Sequence, residues 1–265
     1  MKNLFSVQGK VAMVTGGSRG IGKMIAEGLI LNGVKVFIVS RKKEICYSVS
    51  EQLTAKCGGE CYPIIADISK IEEIEGLVKN FLSKESHLDF LINNAGTSWG
   101  ASIESFPENG WDKVFDLNVK GLFFLIQKLI PVLKNNASNQ DPSRVVNIVS
   151  IDGMINSKFE NISYGVSKAG VHFLTKVLAK KLVKKNINVN AIAPGPFPTW
   201  MLSTGIGYGG ETEGVDWSLV ASQNPRLRLG TIEDIVGATI FLCSRAGAYI
   251  VGETITCDGG IVACS

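Results

Sequence analysis

The sequence predicts an α/β fold, a single Rossmann-type, doubly wound parallel sheet of about seven strands with helices on both faces. Three observations carry that prediction. Short β-branched apolar runs recur along the 265 residues, segments of helical period separate them, and a glycine loop, "TGGSRGIG" at 15–22, joins the first run to the first helical segment. Strands that are apolar on both sides have to be covered on both, by right-handed crossovers. In such a sheet, ligands gather beyond the carboxyl ends of the strands, where the winding reverses.

Taken in order, "KVAMVTG" is the first strand and residues 20–32 the first helix. The strands "VKVFIVS", "CYPIIAD", "LDFLINNAG", "RVVNIVS", "INVNAIAPG" and "ITCDGG" follow, each ending at polar or glycine residues. Helices are expected near 42–56, 70–85, 112–134, 163–185 and 231–244, so residues 1–265 read as one domain. "NNASNQDPS" at 135–143 is a polar surface loop. Residues 195–225 form a long glycine-rich segment with no core strand. Its Phe197, Trp200, Met201, Leu202, Ile206 and Tyr208 are apolar anchors suited to a lid over substrate; a surface loop, or one packed on another subunit, is the alternative.

Composition narrows the class. Hydrophobic residues make up 45% and charged residues 19%, which is globular, and a formal net charge of +3 is too small for a nucleic-acid protein. The six cysteines form no C-x-x-C pair. Cys57 and Cys61 have no histidine near them in sequence, so reduced thiols in a cytoplasmic protein are expected rather than a metal site. The start "MKNLFSVQGKVAMVTGG" shows no signal-peptide pattern, and "GLFFLIQKLIPVL" is too short and too polar for a bilayer. A soluble protein is expected.

The glycine loop opens the first helix, so a pyrophosphate placed there meets free backbone N–H groups at the positive end of the helix dipole. Gly16 permits the tight turn, while Gly20 and Gly22 allow close approach. At the end of the second strand, where an NAD-binding chain carries an acid, stand Ser40 and Arg41. A carboxylate there would repel a 2′-phosphate, whereas a planar guanidinium suits one. Arg19 and Arg41 therefore point to NADP(H), with Lys42 and Lys43 as a solvated helix start. Asp67 ends the third strand, placed to accept from an adenine amino group, and Asn93 in "NNAG" ends the fourth beside a ribose; both residue types also serve as helix caps or turns.

Tyr164 and Lys168 in "SYGVSKAG" stand four apart, on one helical face. Ser150 ends the fifth strand and Asn118 interrupts an otherwise apolar helical pattern. Carbonyl reduction needs these types: a cofactor supplies hydride, and the protein supplies a proton and holds the oxygen. A tyrosine with an ordinary pKa near 10 is a poor acid at neutral pH, and an adjacent ammonium is expected to lower it. Ser150 can hydrogen-bond the same oxygen, Lys168 can hold a ribose, and Asn118 can anchor a water that feeds protons inward.

These residues, in this order, resemble the short-chain dehydrogenase/reductase family over essentially the whole chain, through "TGGSRGIG", "NNAG", Asn118, Ser150, "YGVSK" and "PGPFPT". The resemblance implies a tetrad Asn118–Ser150–Tyr164–Lys168 and nicotinamide contacts at Pro194, Gly195 and Thr199. It adds Ser18, Ile21, Ile68, Asn94, Ala95 and Gly96 to the cofactor contacts. A homotetramer or dimer built through the helices at 112–134 and 163–185 is also implied. Within the family, "NNAGTSWGASIESFPENGWDKV" and "AGAYIVGETITCDGG" are most similar to the β-ketoacyl reductases, in particular the NADPH-dependent 3-oxoacyl-acyl-carrier-protein reductases of the rhamnolipid-biosynthesis type. That similarity implies reduction of a 3-oxoacyl thioester, on acyl-carrier protein or coenzyme A, to the (R)-3-hydroxyacyl form, within fatty-acid and lipid metabolism. Glu211, Glu213 and Asp216 offer no attraction to an acidic carrier, which leaves Arg226 and Arg228 either to supply it or to be ordinary surface charges.

Two rival readings use the same fold. One is a reductase of another carbonyl, in a sugar, polyol, steroid or xenobiotic. The other is a non-catalytic NADP(H)-sensing protein, which would have no need of Ser150, Tyr164 and Lys168 together.

Overall fold

The computed structural model of the chain describes residues 2–156, 159–205, 210 and 212–264. Strands β1 (Val11–Thr15), β2 (Lys35–Ser40), β3 (Cys61–Ile65), β4 (Phe90–Asn93), β5 (Ser143–Ile148), β6 (Ile187–Pro194) and β7 (Thr254–Cys257) form one sheet in the order β3-β2-β1-β4-β5-β6-β7. Every neighbouring pair is parallel. The chain winds outward from β1 to β3, returns to β4 beside β1, and then winds the other way, so the carboxyl ends of β1 and β4 border the crevice where the winding reverses.

Period-2 alternation divides each strand between two cores. Val11 and Met13 of β1 join Phe37, Leu91 and Val145 on one face, whereas Ala12 and Val14 join Val36, Ile38 and Ile92 on the other. The first face is covered by α3 (Ile71–Leu82), α5 (Leu122–Lys134) and α6 (Ile162–Leu182). The second is covered by α1 (Gly20–Leu31), α2 (Lys43–Cys57) and α9 (Ile232–Cys243). Each large aliphatic or aromatic side chain fully buried in these layers stabilises the fold by about 1.5–3 kcal/mol. At Gly28 a Cβ would collide with Val236, so only glycine lets α1 and α9 close over the sheet.

Two segments differ from the sequence expectation. The helix expected over 112–134 begins earlier and is interrupted: α4 (Glu108–Phe115) runs through a π-helical turn, Asp116–Gly121, into α5. The turn coincides with two tertiary contacts, the Asn118 side chain bonded to Thr97 and Gly121 pressed against the Ile68 carbonyl oxygen, where a Cβ would not fit. The segment 195–225 carries two short helices, α7 (Trp200–Gly205) and α8 (Trp217–Ser222). Of the anchors expected there, Phe197 is buried in the second core, while Trp200 and Met201 are exposed. Ile206, Tyr208 and Glu211 lie outside the described residues. The last helix is α10 (Ile261–Cys264). Among the described residues no helix is long and apolar enough to cross a membrane.

Candidate active site

The turn from β1 into α1 is shaped by glycine and clamped by β4. Gly16 and Gly20 have φ of +65° and +53°, a left-handed conformation that costs glycine little. The Thr15 hydroxyl accepts from the backbone N–H groups of Asn94 and Ala95, both at 3.0 Å. Asn94 Nδ2 donates back to the carbonyls of Thr15 (3.0 Å) and Gly16 (3.3 Å). A Cβ at Gly22 would strike both the Asn94 amide and the Gly16 carbonyl. Gly22 and the Asn94 side chain thus shape the loop itself. Asn93, expected beside a ribose, is instead 2% exposed and donates to Asn147 Oδ1 at 2.9 Å, because strand alternation turns it into the sheet.

At the end of β2 the Ser18 hydroxyl donates to Ser40 Oγ at 2.9 Å. Arg41 Nη1 stands 3.5 Å from Asp67 Oδ2, and Asp67 Oδ1 accepts from the N–H (3.1 Å) and hydroxyl (2.8 Å) of Ser69. Partial burial works against the Asp67 charge, yet the Ser69 bonds and Arg41 outweigh it and hold the carboxyl below its ordinary range. The carboxylate expected to meet adenine is therefore already engaged by protein. Ile68 packs its side chain into the first core, leaving only backbone for a ligand, and Ile21 is half-buried against the second. Arg19 is exposed and its guanidinium makes no hydrogen bond or ion pair among the described residues; its Cζ lies 4.5 Å over the Trp200 ring.

Pro194 ends β6, and Gly195 donates its N–H to the Cys257 carbonyl at 3.0 Å. The Thr199 methyl comes within 3.5 Å of the Cβ position of Gly20, bringing the 194–199 segment onto the glycine loop. These residues fit a dinucleotide: the left-handed glycines form a cradle at the N-terminus of the 12-residue α1, and Arg19 offers unpaired donors beside it.

The other half of the site is built on α6 and the end of β5. The 3₁₀ turn Ile151–Gly153 packs on α6 so closely that a Cβ at Gly153 would stand 2.6 Å from the Ala169 nitrogen. Ser150 Oγ accepts from the Asp152 N–H at 3.1 Å, so its own proton remains free to donate, and it acts on the Tyr164 phenol. Lys168 Nζ donates to the Ile148 carbonyl at 2.8 Å and lies 5.5 Å from the Tyr164 ring centre. A Cβ at Gly96 would be 3.3 Å from Asn118 Oδ1 and 3.5 Å from Lys168 Nζ. The sheet thus brings Gly96, Asn118, Ser150, Tyr164 and Lys168 to one place.

One sequence expectation is corrected here. The phenol is not lowered by its lysine: burial pushes Tyr164 up to about 12, assisted by the Asp152 charge and opposed by Ser150. Burial likewise pulls Lys168 down to about 8, against Asp152. Desolvation penalises the charged form of each group and is the largest cause of both shifts. Both N–H donors of the Asn118 side chain are engaged by protein, which leaves a lone pair on its oxygen for a water. Its Nδ2 donates to the Thr97 carbonyl (3.0 Å) and Ser167 Oγ (2.9 Å), and its Oδ1 accepts from the Thr97 N–H (2.8 Å).

Three residues went unnoticed in the sequence. Ser167, inside "YGVSK", is fully buried and donates to the Tyr164 carbonyl at 2.7 Å, joining Asn118 to α6. Thr97 holds Asn118 through backbone alone, which no side-chain pattern reveals. Asp152 is the acid nearest in effect to both Tyr164 and Lys168; its position two after Ser150, in "SIDG", was the available signal. Of the basic residues considered for a carrier, Arg228 is bound by both Nη atoms to Asp234, at 2.6 and 2.9 Å.

The enoyl-(acyl carrier protein) reductase family matches residues 16–262 of the chain. The rhamnolipids biosynthesis 3-oxoacyl-[acyl-carrier-protein] reductase of Pseudomonas aeruginosa is 43% identical over 260 residues, covering 98% of this chain and 99% of that one. A 3-oxoacyl-[acyl-carrier-protein] reductase of Synechocystis is 33% identical over 255 residues, 96% and 97% of the two chains. Among solved structures, the Pseudomonas aeruginosa RhlG/NADP active-site complex superposes with a TM-score of 0.91 at 42% identity, covering 99% of this chain and 100% of that one.

Proposed function

The chain belongs to the short-chain dehydrogenase/reductase family, and from that membership we propose that it is an NADPH-dependent reductase of 3-oxoacyl thioesters, forming the (R)-3-hydroxyacyl product on acyl-carrier protein or coenzyme A. The observation that carries the reading is the buried Tyr164 phenol, kept protonated by its surroundings, with the Ser150 hydroxyl acting on it and Lys168 beside its ring. Bound NADPH supplies hydride to the carbonyl carbon. The glycine loop 15–22, Ser40, Arg19, Arg41, Gly96 and the 194–199 segment hold the dinucleotide; no acid stands at the end of β2 to repel a 2′-phosphate.

Tyr164 gives its proton to the carbonyl oxygen as negative charge develops there, and Ser150 donates a hydrogen bond to the same atom. An acid pushed up to about 12 holds its proton throughout the neutral range, which suits reduction. Lys168, charged below about pH 8, then offsets the phenolate left behind and bonds the nicotinamide ribose. Asn118 is a positioning residue that ties the Thr97 backbone to α6. An oxygen held between two hydroxyls is what carbonyl reduction requires. Helix α7, with Met201 exposed on it, covers the acyl chain.

The test supplies a short 3-oxoacyl thioester and follows loss of NADPH absorbance. Turnover with NADPH in preference to NADH is expected. No turnover of the thioester, alongside reduction of sugars or unrelated ketones, would reject the acyl assignment.

A homo-oligomer accounts for α6. Ile162, Val166, Phe173 and Val177 stand exposed on it at helical spacing, an apolar stripe suited to burial against a second copy. Light scattering is expected to give a dimer or tetramer, and Phe173→Lys to shift it toward monomer. A wild-type monomer would refute this. The absence of disulfides, with all six cysteines free, fits a cytoplasmic location.

A further inference from the structure

We propose that Trp200 is a positioning residue for cofactor binding: its indole takes one face of the Arg19 guanidinium and presents the N–H edge of that group to a phosphate of the dinucleotide. The proposal rests on the NADP(H) reading above. It deepens that reading by making Thr199 and Trp200 part of the cofactor site.

Arg19 and Arg41 were equivalent candidates in the sequence, and the structure separates them. Arg41 faces the Asp67 carboxylate at 3.5 Å, whereas the Arg19 guanidinium has no hydrogen-bond or ion-pair partner among the described residues. The Trp200 ring centre lies 4.5 Å from its Cζ. A guanidinium is planar, with weakly hydrated faces and five N–H donors in the plane. Stacking on a ring therefore uses a face and leaves the donors free. It also restricts a long side chain before the ligand arrives, which reduces the entropy lost on binding.

The indole also has a neighbour in its own segment. Gly210 lies so close that a Cβ there would collide with the Trp200 ring. Next to it, the Thr199 methyl reaches within 3.5 Å of the Cβ position of Gly20. Two consecutive residues of the lid segment thus meet two consecutive residues of the glycine loop, Thr199 over Gly20 and Trp200 over Arg19. A tryptophan serving only as an apolar anchor would be buried, as Phe197 is at 2% exposure; Trp200 is 45% exposed and lies against a cation.

The experiment titrates NADPH and NADH into wild type, Trp200→Ala, Trp200→Leu, Trp200→Phe, Arg19→Ala and the Arg19→Ala/Trp200→Ala pair, following nucleotide fluorescence, with melting curves to check folding. Trp200→Ala and Trp200→Leu are expected to weaken NADPH binding about two- to fivefold, the range of an exposed cation–π contact. Trp200→Phe, which keeps an aromatic face, is expected to retain most of the affinity. In the Arg19→Ala background, loss of Trp200 is expected to change nothing further. Weakening confined to NADPH assigns the 2′-phosphate as the partner of Arg19, and equal weakening of NADH assigns the pyrophosphate. Wild-type affinity in Trp200→Ala, full rescue by leucine, or an undiminished effect without Arg19 would overturn the proposal. Wild-type protein that binds neither dinucleotide would sink the cofactor reading and this proposal with it.

Discussion

Replacing Tyr164 by phenylalanine is expected to lower kcat by about 10²–10⁴-fold, the usual contribution of a positioned general acid, while NADPH binding stays close to wild type. The change removes one oxygen from a side chain that is otherwise packed on α6, and the ring remains to fill its site. The two described groups nearest the phenol are poor substitutes as donors at the same point. Ser150 has a hydroxyl, but an alcohol is a far weaker acid than a phenol, and Lys168 directs its nitrogen to the Ile148 carbonyl at 2.8 Å. Stopped-flow measurement of a single turnover would separate chemistry from cofactor release. Turnover surviving in the phenylalanine variant would mean that the proton comes from elsewhere, and the mechanism above would fail with it.

Lys168→Met is expected to lose about 10²–10³-fold in kcat/KM, the scale of one preorganised electrostatic partner, and to lose pH dependence in two measurable properties. Lys168 is pulled by burial from its ordinary 10.5 to about 8 in the folded protein. Between those values this group binds more protons in the unfolded chain than in the folded one, so its contribution to stability rises as pH goes from about 8 to 10.5. Tyr164, pushed up to about 12 from 10.0, acts in the opposite sense at higher pH: the fold retains a proton that the unfolded chain has released, and stability falls between about 10 and 12. Buried thiols such as Cys46 and Cys243, pushed up to about 11 and about 12, lower stability with rising pH in both proteins alike, so denaturant unfolding in a pH series is expected to show wild type gaining on Lys168→Met between about pH 8 and 10.5. NADPH affinity is expected to decline above about pH 8 in wild type as the ammonium is lost. Lys168→Arg, which stays charged, should make that affinity flat across the same range. A wild-type affinity that is level from pH 7 to 10 would show that the lysine charge has no part in holding the dinucleotide.

Much of the fold was legible because its signals are local. The seven strands lie where continuous apolar runs end at polar or glycine residues, and the glycine loop lies between the first strand and first helix, where a repeating β-α pattern requires a tight turn. The boundaries that moved, at Glu108 and at the π-helical turn Asp116–Gly121, depend on Thr97 and Ile68, residues distant in the chain that meet this helix only after folding.

The sequence by itself determined which residues could do the chemistry and roughly where on the sheet they would stand. Tyr164 and Lys168 share a helical face by spacing alone, and Ser150 must emerge at a strand end. Only the tertiary structure decided their protonation and their partners. Burial depth is a property of the assembled layers, so it is the closed core that pushes Tyr164 up and Lys168 down, reversing the shift expected from two neighbouring residues. The same holds for the two arginines: equal as letters, they part company because Asp67 lies within reach of Arg41 and an indole, 181 positions along the chain, lies over Arg19.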